Sequence, residues 1–106
     1  MEKASVEDFE QAVDTIVNAK NIYILGVRSA SALSGFMSFY FNQIFESVRL
    51  VNTTSTSEMF EQIMRIKEGD VFIGITFPRY SKRTVNAANF AKQNGAKVIA
   101  ITDSNI

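Results

Sequence analysis

The sequence predicts a three-layer αβα sandwich built on a parallel β-sheet, and two observations carry that prediction. Short apolar runs alternate with longer amphipathic stretches along the chain, in the order α-β-α-β-α-β-α-β. This alternation is typical of parallel strands joined by right-handed helical crossovers. The runs at 22–26 and 71–76 are also apolar at successive positions, which indicates strands covered by helices on both faces of the sheet.

Each predicted strand is a short apolar run bounded by polar or turn residues. The four strands are residues 22–26, 48–51, 71–76 and 97–102. The helices are about 4–19, about 32–45, a stretch that follows the hydroxyl-rich residues 52–57, and about 84–93. Asn94 and Gly95 follow the last helix, where a residue that accepts a left-handed conformation commonly ends one.

The 106 residues fit one domain. A lead-in helix of about 4–19 precedes an αβα core of about 22–106. A doubly wound sheet normally continues with a further helix and strand beyond the position of Asp103. We therefore expect residues 1–106 to be a C-terminally truncated domain whose sheet is short at one edge.

Composition excludes several classes of function. Lys plus Arg and Asp plus Glu both number 11, so the formal net charge is zero and the domain has no electrostatic footprint for DNA or RNA. The chain has no cysteine, which excludes disulfides and thiolate metal sites. It has no histidine, the commonest general acid–base and metal ligand. We expect no metal and no cofactor, and we expect any DNA-reading part to lie in a separate domain.

The sequence also predicts where the protein acts. No apolar run approaches the roughly 20 residues that a membrane-spanning helix needs. The first residues are charged and amphipathic, unlike a signal peptide. A cytoplasmic protein without a membrane partner is the simplest interpretation.

Hydroxyl side chains follow every predicted strand, at the edge where ligands of parallel sheets bind. The residues concerned are Ser29 and Ser31 after the first strand, the run 53–57 after the second, Thr76, Ser81 and Thr84 around the end of the third, and Thr102 and Ser104 at the fourth. Hydroxyls and free backbone N–H groups at a helix start are what a phosphate needs. Arg28, Arg79, Lys82 and Arg83 add positive charge beside them. The pattern predicts a phosphate pocket shared by at least two loops.

A structural interpretation competes with this one, because Ser and Thr are also the ordinary residues at helix N-caps. Three such loops at one edge, together with two arginines, bring the pocket level with the capping interpretation, and composition alone leaves both open. No second glycine follows Gly26 at the spacing that these motifs need, so the chain has neither the dinucleotide fingerprint nor the phosphate loop of nucleotide-hydrolysing enzymes there. This argues against NAD or ATP as the ligand.

The helix predicted at 32–45 carries bulky apolar residues on nearly every side. They are Phe36, Met37, Phe39, Tyr40, Phe41, Ile44 and Phe45. A helix that is apolar all round must be buried all round. We interpret it as a self-association face of a homo-oligomer, a dimer or tetramer, and the alternative is burial under the remainder of the domain.

Two stretches resemble SIS (sugar isomerase) domains, which are flavodoxin-like αβα sandwiches. Residues 22–29 (Ile-Tyr-Ile-Leu-Gly-Val-Arg-Ser) resemble the opening strand and loop of the family. Residues 75–85, with Phe-Pro-Arg-Tyr-Ser at 77–81, resemble its second phosphate loop in the form found in RpiR-type transcriptional regulators. Residues 95–103 are similar to the strand that follows in both the enzymes and the regulators.

The resemblance implies a bacterial sensor and not an enzyme. Such regulators bind a phosphorylated sugar at the SIS domain and alter DNA binding by a helix-turn-helix domain, which is absent from this chain. The family's phosphate ligands correspond to Ser29 or Ser31 in the first loop and to Thr76, Ser81 and Thr84 in the second. Ser57 and Glu58 resemble a Ser-Glu pair of amidotransferase isomerases. Arg28 replaces the usual small residue of the first loop, and the second loop is extended.

Two other functions stay open. An aldose–ketose phosphosugar isomerase needs a base to move a proton between neighbouring carbons, and Glu58 is the carboxylate that the sequence offers near the pocket. With no histidine, ring opening lacks its usual catalyst. The second alternative is a structural oligomerisation module with a vestigial pocket, which the aromatic helix favours.

Overall fold

Helices and strands alternate along the chain in the predicted order. The structure is a computed structural model that describes residues 6–27, 30–51, 56–76 and 82–102. Its elements are α1 (Val6–Val17), β1 (Ile22–Gly26), α2 (Ala30–Phe41), β2 (Val48–Leu50), α3 (Thr56–Ile63), β3 (Val71–Thr76), α4 (Lys82–Gln93) and β4 (Lys97–Thr102). None of these helices, over the described ranges, combines the length and apolar character needed to cross a membrane.

The four strands form one parallel sheet in the order β2-β1-β3-β4. β1 pairs with β3 over its full length, with Ile22 opposite Val71 and Gly26 opposite Ile75. β3 and β4 pair from Val71–Lys97 to Thr76–Thr102. The α/β fold with a parallel sheet is therefore confirmed.

The sheet is covered on both faces, as the apolar strands predict. One face buries Ile22, Ile24, Val71, Ile73 and Ile75 against residues of α2 and the α1 region. The other face buries Tyr23, Leu25 and Phe72 against α3 and α4, which contribute Met59, Ile63, Ala87 and Ala91. Successive strand residues point to opposite faces, so both helical layers receive apolar side chains from the same short runs.

The second helix differs from its prediction in both position and burial. It spans Ala30–Phe41 and not 32–45, because after Phe41 the chain forms turns with hydrogen bonds such as Ile44 N–H to Phe41 O (3.0 Å). The Asn42 side chain also donates to Ser38 O (2.8 Å), which caps a carbonyl near the helix end. The residues it buries are small, namely Ala30, Ser34 and Ser38.

A buried polar cluster ties together the amino ends of three strands. Asp70, which is 1% exposed, accepts hydrogen bonds from Asn21 Nδ2 (2.9 Å) and from the Lys67 backbone N–H (3.0 Å). The Ser47 hydroxyl in turn donates to Asn21 Oδ1. These residues precede β3, β1 and β2 respectively, so the cluster sets how the strands align at the edge opposite the candidate site.

Candidate functional site

The strand order reverses between β1 and β3, and this reversal defines a crevice. From β1 the chain passes to β2 on one side and then returns to β3 and β4 on the other. The loops that leave neighbouring strands in opposite directions separate there, and ligands of open α/β sheets bind in the resulting crevice outside the carboxyl ends of the strands. The crevice adjoins the described ends of the two loops that the sequence analysis selected, namely Val27 and the start of α2 after β1, and the end of β3 and the start of α4.

Gly26, the last residue of β1, lets α2 begin directly over the end of that strand. A Cβ atom at Gly26 would lie 2.5 Å from the Ala30 carbonyl oxygen and 3.0 Å from Ser34 Cβ. The first turn closes with a hydrogen bond from the Ala30 N–H to Val27 O (2.9 Å). The amino end of α2 is thereby held at the carboxyl edge of the sheet, beside the crevice.

Gly74 and Thr84 bring α4 equally close to β3. A Cβ atom at Gly74 would lie 3.3 Å from Thr84 Cγ2. The threonine methyl group therefore lies against the space that a larger side chain at position 74 would occupy. Thr84 is 4% exposed and lies in the first turn of α4. The sequence analysis selected this hydroxyl as a phosphate ligand, and the structure shows that its methyl group also has a packing role.

The two helices that begin at the crevice lack the carboxylates that usually stabilise helix N-termini. Neither α2 nor α4 has an acidic residue in its first turn, and α4 begins instead with the exposed cations of Lys82 and Arg83. In contrast, α3, which follows the edge strand β2, has Glu58 in its first turn. Cations are unfavourable at the positive end of a helix dipole unless an anion binds there.

The predicted site residues fall into three groups. Arg28, Ser29, Arg79 and Ser81 lie outside the described residues, and Thr76 is described only as the last residue of β3, opposite Thr102. Ser31 is exposed in the first turn of α2, and its carbonyl accepts a hydrogen bond from Ser34 Oγ (2.8 Å). The structure places Ser31 and Thr84 at the starts of helices that follow neighbouring strands.

Ser57 and Glu58 stand apart from that pair. Both are exposed in the first turn of α3. This helix follows β2, which lies on the far side of β1 from β3. With neighbouring strands about 5 Å apart, the end of β2 is about 10 Å from the end of β3.

Two further cavities lie away from the crevice. One, of about 330 Å³, is at the amino ends of β3 and β4, and its lining includes the carboxylates Asp14, Glu68 and Asp70. The other, of about 570 Å³, runs along β4 between Thr15 and residues of α4 such as Asn89. Within the described ranges, no group of three or more Asp and Glu side chains is placed to hold a metal ion.

Sequence reasoning missed the two glycines that position the site. Gly26 attracted notice for the nucleotide motif that it does not complete and as part of the stretch that resembles the family, and Gly74 was one residue of an apolar strand. A glycine near the end of a buried strand, followed by a hydroxyl-rich loop and a helix, was the available signal. Its meaning, a close approach of helix to strand, depends on contacts between residues separated in sequence.

Comparison with known protein families identifies the family of this chain. The SIS domain family model matches residues 15–106. An uncharacterised HTH-type transcriptional regulator of Haemophilus influenzae is 27% identical over 100 residues, which cover 93% of this chain and 34% of the regulator. The chain thus spans about a third of that relative's length.

Solved structures share the fold. The sugar isomerase domain of an RpiR transcription factor from Sphaerobacter thermophilus superposes with a TM-score of 0.86 at 24% identity, over 96% of this chain and 56% of that one. The Vibrio vulnificus NanR protein, solved in complex with ManNAc-6P, gives 0.81 at 17% identity, over 96% and 38%. The resemblance noted in the two loops is therefore confirmed over nearly the whole chain, and the protein belongs to the SIS domain family.

Proposed function

We propose that this domain senses a phosphorylated sugar in a bacterial transcriptional regulator of the RpiR type and passes the signal to a separate helix-turn-helix domain. The observation that carries the proposal is the pair of helix N-termini, of α2 and α4, that meet the β1–β3 crevice without a carboxylate in either first turn. Partial positive charges of the backbone N–H groups favour an anion there, and Lys82 and Arg83 strengthen that preference.

The relatives supply the rest of the proposal. The Haemophilus influenzae relative is a regulator of the HTH type, and the Vibrio vulnificus neighbour was solved with a sugar phosphate. The zero net charge of this chain fits a domain that leaves DNA contacts to another part of a cytoplasmic regulator. Ser29, Ser31, Thr76, Ser81 and Thr84 supply hydroxyls to the phosphate, and Arg28 and Arg79 supply charge.

Isomerase chemistry is the competing function, and the position of Glu58 weighs against it. The carboxylate follows the edge strand, one strand further from β3 than the end of β1. An isomerase assay on sugar phosphates tests this alternative. If the chain turns over a sugar phosphate and Glu58→Gln abolishes that turnover, the protein is an enzyme and the sensor proposal is wrong.

A thermal-shift screen against a panel of sugar phosphates tests the sensor. Free sugars and inorganic phosphate are the controls. A ligand at about 100 times its dissociation constant stabilises the folded state by roughly 2.7 kcal/mol. A rise in Tm with a phosphosugar and not with its free sugar is expected. No rise with any member of the panel contradicts the proposal and favours the structural module.

Two substitutions at Thr84 separate the proposed phosphate-binding role of its hydroxyl from the packing role of its methyl group. Thr84→Val keeps the methyl group beside Gly74 and removes the hydroxyl, whereas Thr84→Ser keeps the hydroxyl and removes that methyl group. We expect Thr84→Val to weaken phosphosugar binding about tenfold, through loss of a hydrogen bond to a charged group, and Thr84→Ser to retain it. Calorimetric titration measures both, and parental affinity in Thr84→Val would remove Thr84 from the site.

A further inference from the structure

Ser34 is a buried serine at a position where alanine would pack equally well. It is 2% exposed and lies on the inward side of α2. An ideal Cβ atom at Gly26, the last residue of β1, would lie 3.0 Å from Ser34 Cβ, so Ser34 packs directly against the carboxyl edge of the sheet. Alanine would keep the Cβ atom, with a better helix propensity and no hydroxyl to bury. The hydroxyl therefore indicates a role other than packing.

The Ser34 hydroxyl donates to the first turn of α2. Ser34 Oγ lies 2.8 Å from Ser31 O. That oxygen belongs to the planar peptide group between Ser31 and Ala32, so a bond that holds the oxygen also fixes the direction of the Ala32 N–H. N–H groups of a helix point toward its amino end, and those of the first turn have no carbonyl acceptor within the helix. The Ala32 N–H is therefore directed to the end of α2 that borders the crevice.

A hydrogen bond to the carbonyl oxygen of a peptide group also makes the N–H of that group a stronger donor. Hydrogen bonds in a chain polarise one another, and the effect is larger away from water. Ser34 is buried, so its bond to Ser31 O lies on the dry side of the helix. The bond strengthens the positive end of the Ser31–Ala32 peptide on the side where an anion would bind.

A second buried serine on the same side of α2 has no such connection to the first turn. Ser38 is 6% exposed and lies one turn after Ser34, about 6 Å further along the helix axis. Asn42 Nδ2 lies 2.8 Å from Ser38 O and 3.4 Å from Ser38 Oγ. The polar contacts of Ser38 thus lead to the carboxyl end of α2, whereas that of Ser34 leads to the amino end.

We propose that Ser34 is a positioning residue of the phosphate site, which acts through the Ser31–Ala32 peptide group without touching the ligand. One hydrogen bond runs from the Ser34 hydroxyl to Ser31 O, and the next runs from the Ala32 N–H to a phosphate oxygen. This inference rests on the proposed phosphosugar function. It adds to that function a backbone donor and a buried residue that lies outside both selected loops.

Paired alanine substitutions test the proposal by calorimetric titration. The probe is the member of the sugar-phosphate panel that gives the parent its largest rise in Tm. Ser34→Ala removes the hydroxyl and keeps the Cβ atom beside Gly26, and we expect it to weaken binding about three- to tenfold, because one link of a hydrogen-bonded chain is lost. Ser38→Ala is the matched control and should keep parental affinity. Equal affinity of the two variants overturns the proposal.

Thermal unfolding of the ligand-free variants separates positioning from stability. Neither Ser34→Ala nor Ser38→Ala should unfold below the parental Tm, because alanine is the better helix former. Ser34→Cys, whose thiol is a weaker donor than a hydroxyl, should bind with an affinity between those of the parent and Ser34→Ala. A Tm of Ser34→Ala that falls below that of Ser38→Ala, or no recovery of affinity in Ser34→Cys, makes the hydroxyl a structural feature and contradicts the proposal.

The amide resonance of Ala32 provides a readout that a structural role would not move. Saturating the parent with the same sugar phosphate should shift the Ala32 amide proton downfield, as a charge-assisted bond to phosphate forms. The shift should be smaller in Ser34→Ala and parental in Ser38→Ala. An Ala32 resonance that stays in place in the saturated parent shows that this N–H does not bind phosphate and overturns the proposal.

The outcomes distinguish this inference from the proposed function. A parent that binds no member of the panel contradicts both. A parent that binds a sugar phosphate, with Ser34→Ala at parental affinity, retains the sensor and removes Ser34 from its site.

Discussion

Single glycines set how near the helices come to the sheet. At Gly26 the space for a side chain is filled by the Ala30 carbonyl group, at 2.5 Å from an ideal Cβ, which is too close for any rotamer change to relieve. At Gly74 the nearest atoms are side-chain carbons at 3.3 Å, so a small adjustment suffices. The position of α2 therefore depends on one residue more strictly than the position of α4 does.

Gly26→Ala should destabilise the fold by about 1–3 kcal/mol, because the backbone of α2 has to move away from β1. Gly35→Ala is the matched control, since the same substitution in open space should raise the free energy of unfolding by about 0.5–1 kcal/mol. Urea unfolding at a concentration where the chain is monomeric measures both. Equal midpoints for the two variants would mean that α2 is not held against Gly26.

Tyr23 provides a prediction about pH. Burial raises the pKa of its hydroxyl above the usual value of 10.0, the carboxylate of Asp70 adds to this, and Arg49, whose guanidinium lies 5.9 Å from the ring centre, opposes it together with Arg65. The folded state thus retains a proton that the unfolded state loses. Stability associated with Tyr23 is complete below pH 10 and falls as the pH rises above it.

Tyr23→Phe should flatten that alkaline decline, measured as the urea midpoint between pH 9 and pH 11. Tyr40→Phe, at a half-exposed position, serves as the control and should follow the parent. A parental slope in Tyr23→Phe would contradict the role of the buried hydroxyl.

At the scale of elements, hydrogen bonds and packing contacts join helices and strands in ways that the sequence of each element does not predict. The loops before β1, β2 and β3 contribute Asn21, Ser47 and Asp70 to one hydrogen-bonded cluster. α2 buries Ser34 and Ser38 beside the partly buried Met37 and Phe41, and it leaves Phe36, Phe39 and Tyr40 exposed to solvent. The hydroxyl of Ser34 is satisfied because its Oγ donates to its own helix, at Ser31 O, 2.8 Å away.

Asp70→Ala should cost about 2 kcal/mol, because it leaves the Asn21 amide and the Lys67 N–H without their buried acceptor. Asn21→Ala should cost a similar amount, and the double variant should cost less than the sum, since both remove the same hydrogen bond. Chemical unfolding of the three variants provides the cycle, with exposed Asn89→Ala as the control. Additive losses would show that the two residues act independently.

At the scale of the whole molecule, the strand order turns separate loops into one candidate site. The reversal between β1 and β3 places the starts of α2 and α4 side by side, and α2 also carries the exposed rings of Phe36, Phe39 and Tyr40. A ligand at the crevice and a second copy on α2 would therefore both contact the same helix. A ligand can shift assembly only by the difference in its affinity for the two assembly states.

If the sensor works through the self-association expected at α2, and Phe39→Asp disrupts that association, phosphosugar affinity should differ between the parent and Phe39→Asp by about 5–150-fold. By reciprocity, saturating ligand should change the dimer dissociation constant of the parent by the same factor for each site. Calorimetric titration and sedimentation velocity measure the two factors separately. Identical affinity in both forms would show that sensing does not act through this assembly.

The sequence by itself determined the alternation of elements, the parallel three-layer class and the family, because periodicity and loop chemistry are local properties of a chain. The strand bounds at 22–26, 71–76 and 97–102 followed from runs of apolar residues between turn signals. Ser31 and Thr84 lie in the first turns of α2 and α4. The ligand roles of all the site residues selected from the sequence remain predictions, namely Arg28, Ser29, Ser31, Ser57, Glu58, Thr76, Arg79, Ser81 and Thr84.

Only the tertiary structure decided the strand order, the inward side of α2 and the reasons for its glycines. No local sequence pattern places β1 beside β3. Strand pairing depends on how the helical connections between strands pack over the sheet. The sequence predicts bulky apolar residues on nearly every side of α2. In the structure α2 buries Ala30, Ser34 and Ser38, and Met37 and Phe41 are partly buried against the same face of the sheet. Phe36, Phe39 and Tyr40 lie on the side that faces away from the sheet. Which side of α2 turns inward depends on contacts such as those of Gly26 with Ala30 and Ser34, which the linear sequence does not display.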